Sequence, residues 1–151
     1  MLERIWSGAG GAFGQAPDRA GLQASTAGKA IAWAALAAAV AANIAGYALD
    51  LYGQFWWFDR ILHAFTLFAM TLWLAFLVFA PGFREGYRVR TFFLVLSLGL
   101  AIGAVWEIAE WAYDQLAPQN VIKGKFDTVL DLIMDTVGAA LAALLCHRFW
   151  R

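Results

Sequence analysis

The sequence predicts an all-α integral membrane protein, a bundle of four transmembrane helices with both termini in the cytoplasm. Three observations carry that expectation. Four stretches are long and apolar enough to cross a bilayer, which takes about 20 residues at the helical rise. Across 151 residues, 62% are hydrophobic and 15% charged, against roughly 25% charged in soluble domains. Lys and Arg are also shared very unevenly between the loops. Formal net charge is zero, so overall basicity offers nucleic acid nothing. The one cysteine, Cys146, excludes an internal disulfide and reads as a small buried hydrophobe.

Residues 1–28 hold six glycines and no sustained periodicity, which predicts a flexible Gly-rich cytoplasmic segment. They lack the short apolar core and cleavage pattern of a removable signal peptide, so the first span is expected to stay as a signal anchor. The membrane domain is then residues 29–151. Span one, about residues 30–49, is alanine-rich and carries Asn43, placed to hydrogen-bond across the bundle. Span two, about 58–80, stops at Pro81-Gly82. Span three, about 91–113, has Pro118 beyond it. Span four covers about 127–150. Short connections predict that consecutive helices are antiparallel neighbours.

Eight basic residues flank the ends assigned to the cytoplasm: Arg4, Arg19, Lys29, Arg84, Arg88, Arg90, Arg148 and Arg151. The opposite loops carry Lys123 and Lys125, with Arg60 just inside span two. Tyr52, Trp56, Trp57, Trp111 and Tyr113 mark that second boundary, where amphipathic rings meet headgroups. Small residues at i and i+4 let helices approach closely in lipid. Gly99 with Gly103 and Gly138 with Ala142 fit that rule. Span one is the expected packing partner, and a homo-oligomer contact through Gly99 and Gly103 is a second use for the motif.

The acids are more telling. Eight of eleven fall in the non-cytoplasmic half: Asp50, Asp59, Glu107, Glu110, Asp114, Asp127, Asp131 and Asp135. Asp59 and His63 are four apart and share one face of span two. Glu107, Glu110 and Asp114 stand at i, i+3 and i+7 on span three, and Asp127, Asp131 and Asp135 at i, i+4 and i+8 on span four. Asp135 lies about 12 Å further along its helix than Asp127, inside the hydrocarbon zone. Each intramembrane charge costs roughly 2.5–3.5 kcal/mol on insertion scales, so the set should face a polar interior and have partners. Arg60 is expected to pair with Asp59 or with a span-four aspartate. Asp50 and Asp114 read as ordinary boundary charges.

Carboxylates around one imidazole suit a divalent cation, Mg²⁺, Mn²⁺ or Zn²⁺. The candidate ligands are His63, Glu107, Glu110, Asp131 and Asp135. Glu107, Glu110 and Asp131 are also the candidate catalytic groups, and Asp59, Arg60 and Asp127 are expected at the mouth. The Glu-x-x-His pairs of bundle di-iron sites are missing, because Glu107 is followed by Glu110.

The segments Phe58-Asp59-Arg60-Ile61-Leu62-His63, Gly103-x-x-x-Glu107-x-x-Glu110-Trp111 and Phe126-Asp127-Thr128-x-x-Asp131-x-x-x-Asp135-Thr136-x-Gly138 resemble the YjdF-type inner-membrane family. More loosely they resemble the VanZ-like proteins associated with glycopeptide-antibiotic resistance. The resemblance implies a multi-pass protein of the bacterial inner membrane with this constellation as its polar site, and brings no reaction with it. The function expected from the sequence is therefore a carboxylate/His pocket near the non-cytoplasmic face, binding a divalent metal and binding or acting on a lipid-linked or envelope substrate. A non-catalytic proton- or cation-handling protein, or a structural subunit of a membrane complex, is the alternative.

Overall fold

The computed structural model of the chain describes residues 24–79, 88–117 and 120–149, which are helices and their connections with no strand among them. The expected flexible segment falls mostly on residues 1–23 and the expected end of span two on Ala80, both outside the described residues.

Helix α1 covers Thr26–Ala48. It begins four residues before the expected boundary because Ser25 caps it, accepting a 3.1 Å hydrogen bond from the Gly28 amide. Gly28 is thus helical and buried, with Phe149 packed so close that a Cβ would lie 2.9 Å from its Cβ. The Ser25 amide also donates to the Phe149 carbonyl at 2.9 Å, so both ends of the described bundle meet at one end.

Asp50, in the left-handed region at φ 54°, turns the chain into a one-turn helix, α2, Leu51–Gln54, which the sequence pattern did not announce. Helix α3, Phe58–Leu74, runs on into a π-helical turn at Ala75–Phe79. Helices α4, Arg88–Leu116, and α5, Lys125–Phe149, complete the set. Gly124, at φ 121°, precedes α5 in a conformation that only glycine adopts without strain. Among the described residues, four helices are long and apolar enough to span a membrane.

The helices do not simply pack in chain order. α3 lies between α1 and α5, α4 lies on α5, and the thinner contact is α3 with α4. The α3–α5 interface is the largest because α5 turns its acids and small residues inward. Asp127, Asp131, Asp135, Gly138, Ala139, Ala142, Ala143 and Cys146 are buried, whereas Val129, Ile133, Val137, Leu141 and Leu144 are exposed. Large apolar residues outside and small or polar ones inside is the arrangement lipid favours.

This packing corrects two expectations about the glycines. A Cβ on Gly99 would run into the Cβ of Ala139, with Thr71 Oγ1 2.8 Å away, and one on Gly103 would meet Asp135 Oδ2 at 2.6 Å. Both glycines are buried against the chain's own α5, not against α1, and their face is closed to a second copy. Gly138 packs in turn on the backbone of Ala64 and Phe68 in α3. At the end where α1 begins, Ala32, Leu72, Ala75, Phe76, Val95, Ala142, Ala143 and Cys146 form one buried apolar block. All the site chemistry lies at the other end.

Candidate functional site

Three helices deliver the site from registers already visible in the sequence. On α3, Asp59, His63 and Thr66 succeed one another by turns. On α4, Glu107 and Glu110 come near the end of the helix, and on α5 Asp127, Asp131 and Asp135 come near the start. Because α3 is antiparallel to α4, their polar ends coincide and the acids gather around one imidazole.

His63 is 7% exposed. Its Nδ1 stands 3.1 Å from Asp135 Oδ1 and 4.0 Å from Glu107 Oε1, and its Nε2 lies 3.8 Å from Asp59 Oδ1 and 4.0 Å from Glu110 Oε1. The ring therefore divides two environments. On the Nδ1 side, both oxygens of Glu107 and Asp135 Oδ2 are buried with no hydrogen-bond partner among the described residues, and Asp131 Oδ1 is likewise unpartnered among them. Such orphaned atoms are costly, and native proteins leave few of them. Donor atoms of His63, Glu107 and Asp135 all lie within 4.8 Å of one another, and those of Asp59, Asp127 and Asp131 form a second such group.

The second group already has a cation. Arg60 Nη2 donates to Asp127 Oδ1 at 2.9 Å, Nη1 donates to the Trp56 carbonyl, and Asp127 Oδ2 accepts from the Lys123 amide at 3.1 Å. Arg60 thus pairs with a span-four aspartate, one of the two partners expected for it. Asp114, expected as a plain boundary charge, instead accepts the Val121 and Ile122 amides, both at 2.9 Å, and shapes the connection into α5.

On the Nε2 side a cavity of about 410 Å³ opens between α1, α2, α3, α4 and residues 120–123. Asp59, His63 and Glu110 line it, whereas Glu107 and Asp135 face the other ring nitrogen and Asp131 is not in the wall. Of the three residues expected at the mouth, Asp59 is in the cavity wall, whereas Arg60 and Asp127 pair with each other and do not line it.

Among the other wall residues, Gly46, Tyr47, Asp50, Tyr52 and Trp106 were missed as site residues. A signal existed for part of the wall, since Asn43, Gly46 and Tyr47 fall at i, i+3 and i+4 on one face of α1. Asn43 does reach across the bundle, to Thr66 Oγ1 at 3.4 Å, and accepts the Tyr52 hydroxyl at 3.0 Å. Burial pushes the Tyr52 phenol up, helped by Tyr47 and by the charges of Asp59 and Glu110, so it stays a hydrogen-bond donor. Trp106 Nε1 donates to Glu110 Oε1 at 2.8 Å and fixes both side chains.

With this architecture in place, comparison with known proteins is decisive on one point. Residues 23–151 match the family described as "Predicted membrane protein (DUF2238)". The chain belongs to that family. An uncharacterized protein of Thermotoga maritima is 30% identical over 116 residues, 72% of this chain. The match spans 60% of that relative's length. No solved structure matches significantly. Family membership and four spanning helices together make this a multi-pass membrane protein.

Proposed function

We propose that the protein binds a divalent cation at His63, Glu107 and Asp135. It uses the adjoining pocket to bind or act on a lipid-linked or envelope substrate at the non-cytoplasmic face of a bacterial inner membrane. The observation that carries this reading is the Glu107 carboxylate, buried with both oxygens unpartnered among the described residues and facing His63 and Asp135.

Six carboxylates (Asp59, Glu107, Glu110, Asp127, Asp131 and Asp135) meet one guanidinium and one imidazole. A cation at the centre of the deep group offsets charge that water would otherwise have to solvate. Donors about 2.1 Å from such an ion stand at most about 4.2 Å apart, and those of this group already lie within 4.8 Å of one another. One nitrogen and several carboxylate oxygens favour Zn²⁺ or Mn²⁺ over Mg²⁺. Asp131 supports the group from the next turn of α5. Glu110, in the pocket wall beside Nε2, is the side chain placed to exchange a proton with a bound substrate. The positive-inside pattern supports the sidedness.

A proton-handling role draws on the 3.1 Å His63–Asp135 contact, short enough to share a proton. The apolar block filling the opposite half of the bundle gives such protons no visible exit. Thermal unfolding with and without added cation tests the metal reading, since a ligand bound only to the folded state raises the midpoint. Zn²⁺ or Mn²⁺ should raise it in wild type and not in Glu107→Gln. Equal midpoints for wild type with and without every cation tried would refute it.

A further inference from the structure

We propose that the pocket beside His63 receives an organic ammonium group, presented by a zwitterionic lipid headgroup or by a free amine. The proposal deepens the substrate half of the reading above and does not need a cation in the deep group, none of whose acids line the pocket.

The wall is of two kinds. Tyr47, Tyr52 and Trp106 contribute aromatic rings, and Asp50, Asp59 and Glu110 contribute carboxylates. Aromatic faces attract cations through their quadrupole, most strongly when the cation is bulky, weakly hydrated and removed from water. The carboxylates are not gathered as metal ligands: no group of three donors within 4.8 Å among the described residues consists of pocket-lining side chains alone. Spread around a cavity of about 410 Å³, they suit a cation larger than a bare ion. Three acids also repel a lone anion. Lys123 is the one lysine or arginine in the wall, is exposed, and has no ion pair among the described residues. It can meet a phosphate that stays at the rim while the ammonium enters.

The wall is built before any ligand arrives. The Tyr52 hydroxyl is held by Asn43, the Trp106 indole by Glu110, and the Tyr47 and Tyr52 rings pack against each other at 4.9 Å, tilted by 42°. Preorganised side chains lose little freedom on binding. The cavity also lies at the end of the spans, beside exposed Trp56 and Trp57, where headgroups reside.

The test is calorimetric titration of the full-length protein in phosphatidylglycerol nanodiscs with choline, phosphocholine and inorganic phosphate. Choline and phosphocholine should bind and phosphate should not. Tyr52→Leu and Asp59→Asn should weaken choline roughly tenfold or more. Tyr52→Phe, which keeps the ring and loses only the bond to Asn43, should bind choline as wild type does. Choline should bind wild type equally with and without added Zn²⁺ or Mn²⁺, which separates this proposal from the deep cation site. Repeating the titration in phosphatidylcholine nanodiscs identifies the source. Weaker apparent choline binding there assigns the pocket to the lipid headgroup, and unchanged binding assigns it to a free amine; either upholds ammonium recognition. Phosphate binding as tightly as phosphocholine, no choline binding by folded wild type, or wild-type affinity in folded Tyr52→Leu would overturn it.

Discussion

Gly138→Ala is the most searching single change, because it adds one methyl group where α5 meets backbone and no side chain can swing aside. A Cβ there would collide with the Ala64 carbonyl oxygen and lie 2.9 Å from the Phe68 nitrogen and 3.0 Å from the Ala64 carbonyl carbon. Ordinary contacts begin at 3.4 Å, so α3 and α5 have to part by about 1 Å or distort. Overpacking of this kind costs about 1–3 kcal/mol, and each kcal/mol lowers the unfolding midpoint by about 2–4 °C in a chain of this length. The displacement also reaches the site. Asp135 lies one turn from Gly138, and its contact with His63 would stretch from 3.1 Å past the roughly 3.5 Å at which a hydrogen bond fails. The assay is thermal unfolding of detergent-purified protein by near-ultraviolet circular dichroism, paired with cation uptake by equilibrium dialysis. The variant should melt several degrees lower and take up less cation. An unchanged midpoint together with unchanged uptake would refute the close α3–α5 packing from which the site geometry is derived.

Gly103→Ala should behave differently, since its Cβ would meet the Asp135 carboxylate, which can rotate. Stability should fall by less than about 1 kcal/mol, while cation affinity drops about tenfold or more as a ligand is displaced; a melt and a dialysis on one sample check both. Arg60→Met should cost about 2–3 kcal/mol by stranding Asp127, less than for a fully buried pair because Arg60 is partly exposed. Adding Asp127→Leu should recover part of that loss, and a double-mutant cycle measures the coupling. Cation affinity should rise with pH, because imidazole and carboxylate ligands must shed protons to bind. Dialysis at several pH values reads the slope, and a flat profile would contradict a site made of protonatable donors.

Much of this was legible in the sequence because lipid makes a few signals strong. Length and hydropathy gave the four spans. Acids at helical spacing gave the faces of α3, α4 and α5 that converge on His63, since burying a carboxylate in a bilayer is too costly to occur by accident. What failed depends on which helix lies beside which. Close-packing glycines announce a neighbour without naming it, so Gly99 and Gly103 were assigned to α1 or a second copy when Ala139 and Asp135 of α5 fill their face. Helix α2 has one turn and no period to detect. Tyr52 reads as a member of an interfacial belt and Tyr47 carries no signal of its own, and only the fold shows that both wall a cavity. Asp114 looked like a boundary charge because its partners are backbone amides, which carry no sequence signature.

The most direct test of the central claim is metal content by plasma mass spectrometry. It would compare wild type with Glu107→Ala and Asp131→Ala, all purified in detergent without chelator. The account predicts close to one Zn or Mn per chain in wild type, lost in Glu107→Ala and reduced in Asp131→Ala, whose carboxylate supports the group without belonging to it. Wild type with no bound metal after purification, and none after incubation with Zn²⁺, Mn²⁺ or Mg²⁺, would contradict it.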